Sequence, residues 1–292
     1  MKYQDPGIPR KSALINKSIS LYKDILLPSV VEVNESGICN RSCSFCPKSD
    51  PSYPNVKNFI SDNLIDKLTS ELGALDYKGI FVFSGFCEPL LDVNIYNLIN
   101  IASRNMPNAK VEVVTNGDPL NLKNMIKLFE SGLSTLIVSA YDGPEQLEHF
   151  NKMAMDAGIK KREGLFIRPR YLPEDQDFGI TLNNRSGMMS EASYKIDTLT
   201  EPLIKRCNYP FYSFFMDYNG DVLLCSHDWG KKMIVGNVNK NSFIEIWDGE
   251  KFNYARNKLA KKDRHLKPCN LCDVNGTIMG NEHVKIWEKS GR

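Results

Sequence analysis

Cys39, Cys43 and Cys46 stand in one short run, Ile38-Cys39-Asn40-Arg41-Ser42-Cys43-Ser44-Phe45-Cys46-Pro47. The run follows Val30-Val31-Glu32-Val33, which reads as a short strand. Three thiolates in one loop can ligate three irons of a four-iron cluster and leave the fourth open to a ligand that is not protein. Structural zinc takes four protein ligands, and no fourth Cys or His lies close by in the sequence. The spacing therefore predicts an iron–sulfur site with an open iron, which is a place for chemistry.

The chain has eight cysteines. Cys87 stands alone, and Cys207, Cys225, Cys269 and Cys272 form a second set toward the C-terminus. Lys and Arg number 37 against 35 Asp and Glu, so no broad electrostatic footprint for nucleic acid follows. No apolar h-region follows Met1 to Arg10 and no run is long enough to span a bilayer, so neither a signal peptide nor a membrane anchor is expected. The expected setting is the cytoplasm, where clustered cysteines bind metal in preference to forming disulfides. Four thiols suit tetrahedral zinc and a fully ligated four-iron cluster equally, and ligand count leaves both open for the second set.

From residue 30 onward, strands and helices alternate. Strand runs are expected at Val30–Val33, Ile80–Phe83, Val111–Val114, Leu136–Val138 and Leu165–Ile167, with a sixth at Ile180–Leu182. Helices are expected after Ser61, after Asp92, from Asp118-Pro119 to Gly132, and from about Glu145. The pattern predicts an α/β fold: a partial TIM-like (βα)6 barrel over residues 30–185, behind an N-terminal extension over residues 1–29. The cysteine loop, Gly85-Phe86-Cys87-Glu88-Pro89 and Thr115-Asn116-Gly117 all fall at the C-terminal ends of strands, where such folds gather their ligands. Residues 186–292 read as a small second domain organised by metal. It holds a hairpin with Asn219-Gly220 at its turn and a helical stretch over residues 242–261.

The Cys39-x-x-x-Cys43-x-x-Cys46 loop after a first strand, with Glu88-Pro89 after the second and Thr115-Asn116-Gly117 after the third, resembles the radical S-adenosylmethionine (radical SAM) superfamily. That resemblance implies that SAM chelates the open iron and is cleaved by an electron from the cluster to give a 5′-deoxyadenosyl radical. It implies Phe45 beside the adenine, Glu88 helping to hold the SAM amine, and Asn116 and Ser139 as further SAM contacts. Family members carry glycine immediately before the Glu-Pro pair; here the residue is Cys87. Beside such a core, Cys207, Cys225, Cys269 and Cys272 resemble a shortened SPASM or Twitch domain with one auxiliary 4Fe–4S cluster, giving two clusters in all.

A closer likeness is to the radical SAM dehydrogenases that oxidise an aminocyclitol. It is carried by Val31-Glu32-Val33-Asn34, Leu182-Asn183-Asn184-Arg185-Ser186-Gly187, Met233 to Val238, and Ile246-Trp247 ahead of Lys251-Phe252. It implies oxidation of a secondary alcohol on an aminocyclitol or sugar-like small molecule to a ketone, with Arg185 on the substrate hydroxyl and the last electron passing to the auxiliary cluster. His227 and Asp228 are expected to face the cavity between the clusters. Arg168 and Arg170 are expected either on the surface or against an acidic group of the substrate. Arg256, Lys258, Lys261, Lys262, Arg264 and Lys267 make a basic stretch, read as a solvated face or a dock for a flavodoxin- or ferredoxin-type reductant. The competing readings are a SPASM-type peptide-modifying enzyme, an epimerase with Cys87 as hydrogen donor, and a zinc-stabilised binding module.

Overall fold

The computed structural model describes residues 5–159 and 164–291. Helix α1 (Gly7–Lys17) leads into an alternating series: β1 (Val30–Asn34), α2 (Asp62–Ala74), β2 (Ile80–Phe83), α3 (Ile95–Asn105), β3 (Lys110–Thr115), α4 (Leu122–Glu130), β4 (Thr135–Ala140), α5 (Glu145–Asp156) and β5 (Leu165–Pro169). The five strands pair in parallel in that order. They are apolar almost throughout because both faces are covered. Val31, Val33, Phe81, Phe83, Val111 and Val113 point toward the helices and meet Leu64, Leu68, Ile95, Leu98 and Leu128 there.

Local signals set the helix starts. The Ser61 side chain accepts the Leu64 N–H and caps α2. The start of α4 differs from the sequence expectation: Asn121, not Asp118, caps it by accepting the Asn124 N–H. Asp118 is drawn away because Arg41 of the cysteine loop takes its carboxylate.

Ile180–Leu182 is not a strand. Asp177, Phe178 and Gly179 all have positive φ after β5 and turn the chain away from the sheet. The sixth parallel strand comes instead from the hairpin, where β6 (Ser213–Asp217), reached through the single turn of α6 (Tyr209–Tyr212), pairs with β1 on the opposite side of the sheet. Then β7 (Asp221–Leu223) and β8 (Ile234–Asn237) continue it antiparallel, giving the order β8-β7-β6-β1-β2-β3-β4-β5. The sheet is open, as a partial barrel is. The segment read as a separate small domain thus supplies three strands of the central sheet. Its helical stretch is two helices, α7 (Phe243–Trp247) and α8 (Glu250–Ala260), broken at Gly249, and α9 (Asn281–Lys289) follows. No helix among the described residues is long and apolar enough to cross a membrane.

The N-terminal extension is part of this architecture. Ile15 of α1 is fully buried and packs on Val30, Ile80 and Val82, the strand residues that face away from α2–α5, together with Tyr212 and Met279. Arg10 pairs with the buried Glu112 of β3 from the same side, and Asp5 pairs with Arg170 at 2.8 Å. Ile15→Ala should therefore lower stability by roughly 2–5 kcal/mol, the usual cost of a large buried aliphatic truncated in a tight core. Urea unfolding measures this; a loss under about 0.5 kcal/mol would mean that α1 docks only peripherally.

Candidate active site

The cysteine loop hangs between the two strands of a short antiparallel ribbon, Ser36–Gly37 with Val56–Phe59. Arg41 pins it by forking onto Asp118, after β3, and Asp142, after β4, while its guanidinium lies 5.1 Å from the centre of the Tyr141 ring. Asn40 donates to Asp118 at 2.7 Å and accepts from Asn116 at 2.8 Å. The Cys39 N–H donates to Asn55 at 2.9 Å. Burial, then the neighbouring Cys46 and Cys39, push the Cys43 thiol up to about 12. Burial also raises Cys39 and Cys46, with the positive charge of Arg185 opposing it at Cys46. Such thiols hold their protons until a metal displaces them.

Glu88 is 2% exposed, and its carboxylate is held by three donors: the Thr115 hydroxyl at 2.6 Å and the backbone N–H groups of Asn116 at 2.7 Å and Leu90 at 3.0 Å. Burial lifts it to about 7. Ser139, also buried, accepts from Arg168 at 2.9 Å. Phe45 packs against Tyr141 and Phe178, with ring centres 6.0 and 5.1 Å apart. The Cys87 thiol donates to both oxygens of Glu35 at 3.2 Å.

A cavity of about 550 Å³ opens over these residues. Its wall includes Cys39, Cys43 and Cys46 with Phe45, Glu88, Asn116 and Ser139, and also Arg185, Tyr209, Ser226, His227 and residues 273–276. The last of these belong to segments beside the second cysteine set. All four of those cysteines are buried. Cys207 is pushed up to about 11 by burial, against a lowering influence from Arg264. Cys225, Cys269 and Cys272 are raised by burial first and then by neighbouring charge, including that of other cysteines in the set for Cys225 and Cys269. Among the described residues, no three Cys, His, Asp or Glu side chains are drawn in around a single-ion site. Four buried thiols in one set form a donor set that a metal centre takes as thiolates.

Arg185 sits in a tight turn in which it and Ser186 both have positive φ, 48° and 54°. The turn is held because the Asn184 N–H donates to Asp273 at 2.9 Å and its side chain donates to the Leu271 carbonyl at 2.7 Å. The Arg185 Nε is buried without a partner, and the guanidinium lies 6.0 Å from the centre of the Trp229 ring. His227 lines the cavity with its ring edge-on to Tyr209 at 4.8 Å, and its Nδ1 has no hydrogen-bond partner. Burial, then Arg185 and Lys11, hold it down to about 3.

Three sequence expectations change. Asp228 does not line the cavity; its carboxylate accepts the Lys232 and Met233 N–H groups and closes a turn. Arg168 and Arg170 are not surface residues, since both line the cavity, with Arg170 paired to Asp5. Arg256 and Arg264 are 2% and 1% exposed, so the basic stretch is not one solvated face. Sequence reasoning missed Tyr141, Trp229, Glu32 and Lys11 in the cavity wall. Tyr141 follows β4 just as the other lining loops follow their strands, and that signal was available.

Residues 33–162 match the model of the radical SAM superfamily, and residues 207–273 match that of the SPASM iron–sulfur cluster-binding domain. The chain is 28% identical over 246 residues to the S-adenosyl-L-methionine-dependent 2-deoxy-scyllo-inosamine dehydrogenase of Niallia circulans, covering 84% of this chain and 91% of the relative. The crystal structure of BtrN in complex with AdoMet and 2-DOIA superposes with a TM-score of 0.70 at 26% identity, over 85% of this chain and 94% of that one. AdoMet-bound anSMEcpe shares the fold at a TM-score of 0.54 and 13% identity, over 90% of this chain and 96% of that one. The chain thus carries a radical SAM domain over residues 33–162 and a SPASM iron–sulfur cluster-binding domain over residues 207–273.

Proposed function

We propose that the chain oxidises a secondary alcohol of an aminocyclitol or sugar-like small molecule to a ketone. One observation carries the reading: a single cavity runs from the Cys39, Cys43 and Cys46 loop to Arg185 and the segments that carry the second cysteine set. Making a ketone removes a hydrogen atom from carbon, a proton from oxygen and one further electron, so an electron acceptor beside the substrate is a requirement. The name of the dehydrogenase relative, 28% identical, points to the same chemistry. When bound, SAM and the cluster on Cys39, Cys43 and Cys46 supply the radical that takes the hydrogen atom, and a cluster on Cys207, Cys225, Cys269 and Cys272 supplies the acceptor.

The protein's own residues bind and orient. Phe45, backed by Tyr141 and Phe178, offers a flat apolar surface for an adenine. Glu88, already tied to Thr115, Asn116 and Leu90, fixes the backbone turn at the SAM amine, and Asn116 braces the cysteine loop through Asn40. Ser139 and Arg168 present a hydroxyl and a guanidinium to a carboxylate. Arg185 lines the cavity and its guanidinium keeps its charge, so it stabilises negative charge on the carbinol oxygen as its proton leaves. A flavodoxin- or ferredoxin-type protein fits the role of reductant for the first cluster.

The cavity position of Cys87 favours looking at the epimerase as well. Its thiol hydrogen, however, is engaged on Glu35, a residue with no exposed surface, and not on the cavity. Cys87→Ala should leave ketone formation essentially unchanged. Loss of all product on that substitution would instead make the thiol a participant.

Two further outcomes test the main reading, with 2-deoxy-scyllo-inosamine as probe substrate under anaerobic reduction. Cys269→Ala/Cys272→Ala should reduce iron from about eight to about four per chain and abolish ketone, while 5′-deoxyadenosine still forms. Ketone at wild-type yield from that variant would sink the proposal. Arg185→Met should lower kcat by roughly 10²–10³-fold with a smaller change in KM, as removal of a charge-stabilising donor does. An effect confined to KM would make Arg185 a binding residue only.

A further inference from the structure

Arg264 came out of the sequence as one member of a basic surface stretch, yet it is 1% exposed and among the largest fully buried side chains. Its guanidinium donates to four backbone carbonyls: Lys205 at 2.8 Å and Arg206 at 2.9 Å, just before Cys207, and Val274 at 2.8 Å and Asn275 at 3.1 Å, just after Cys272. It therefore clamps together the two arms of chain that deliver cysteines of the second set. Gly276 locates it further. A Cβ built there would lie 2.7 Å from the Arg264 Nη2 and 2.8 Å from the Cys207 sulfur, so both atoms close on one point. All four bonds go to neutral carbonyls, and among the described residues no ion pair with a carboxylate offsets the charge. Two acidic groups by the set bond to backbone N–H groups, Asp228 to those of Lys232 and Met233 and Asp273 to that of Asn184.

We propose that Arg264 is a positioning residue whose buried, unneutralised charge raises the reduction potential of the cluster held by Cys207, Cys225, Cys269 and Cys272. The inference rests on the proposed function and deepens it, by naming what makes that cluster an electron acceptor. The physical reason is direct. Reduction adds a negative charge to the cluster, and a fixed, buried positive charge a few ångströms away stabilises the reduced form more than the oxidised one. A lysine would keep the charge and lose the fork; a glutamine would keep some donors and lose the charge.

The test is an EPR-monitored redox titration of the auxiliary cluster in anaerobically reconstituted wild type, Arg264→Gln and Arg264→Lys, each first assayed for iron. The expected result is a more negative midpoint in Arg264→Gln, by at least about a tenfold change in the one-electron equilibrium, or about 59 mV. Arg264→Lys stays close to wild type. An unmoved potential in Arg264→Gln at about eight irons per chain overturns the inference and leaves the dehydrogenase reading standing. Equal shifts in the Gln and Lys variants overturn it too, since bonding geometry would then set the potential. If Arg264→Gln does not hold its second cluster, Arg264→Met repeats the neutral arm. Failure of both neutral variants beside a loaded Arg264→Lys assigns the arginine to holding the site and overturns the proposal. About four irons in the wild type removes the cluster, and with it both the inference and the function on which it rests.

Discussion

The parallel pairing of β6 with β1 is the constraint on which the site depends. It matches Ser213 to Val30 and runs to Asp217 beside Asn34. The first cysteine loop leaves the end of β1, Cys207 lies a few residues before β6, and the β6–β7 hairpin delivers Cys225. The register of one strand pair therefore sets how far apart the two thiol sets stand. Burial of Phe214, Phe215 and Met216 on a central strand holds that register, because a slip of one residue would put Phe214 and Phe215 on the wrong faces. The Asn34 amide closes the end of the pair, donating to Asp217 at 2.7 Å, while its oxygen takes the Phe86 N–H at 2.7 Å and ties in the loop after β2.

Each thiol set has its own arginine, half-buried Arg185 for the first and buried Arg264 for the second. Arg185 opposes the burial of Cys46, and Arg264 does so for Cys207, Cys269 and Cys272. The arrangements differ in a way that follows use. Arg264 makes four hydrogen bonds, all to backbone carbonyls. Arg185 keeps an unsatisfied Nε at the cavity wall, on a turn strained at two successive non-glycine residues. A buried donor left without a partner costs free energy unless a ligand takes it.

Legibility in the sequence tracked the range of the interactions. Caps and apolar periodicity are local, so α2, α3 and α5 were readable from Ser61, from the Ile95, Leu98 and Ala102 face, and from Glu145. The cysteine spacing is local too, and it exposed the first site. Asp118 and Asn121 are both good caps, and the choice between them was made by Arg41, far back in the chain. Ile180–Leu182 has the composition of a strand, but three residues of left-handed backbone before it take it off the sheet. Nothing near residue 213 announces β1 as its neighbour. Arg256 and Arg264 could not be told from surface cations because their partners are carbonyls of segments such as Pro210 and Lys205, which only the tertiary fold brings close. Lys11 was hidden for the same reason: its place in the cavity wall exists only because Ile15, one turn along α1, is buried against the sheet.

Cys87 shows how a departure from a family pattern can be answered locally. Where family members have glycine, this chain has a thiol, and directly behind it lies Glu35, a carboxyl with no exposed surface. Burial lifts Glu35 to about 8, while the hydrogen bond from Cys87 pulls it back down. In the folded chain Glu35 therefore keeps its proton at neutral pH, whereas an unfolded chain would have released it. Its contribution to stability is accordingly greatest below the ordinary carboxylate range and is lost as pH rises through about 8. A glycine at position 87 would leave that carboxyl with only Ser36, whose hydroxyl donates at 3.3 Å, as a side-chain partner. The thiol and the acid are thus one unit, in which Cys87 partners a buried polar group next to Glu88.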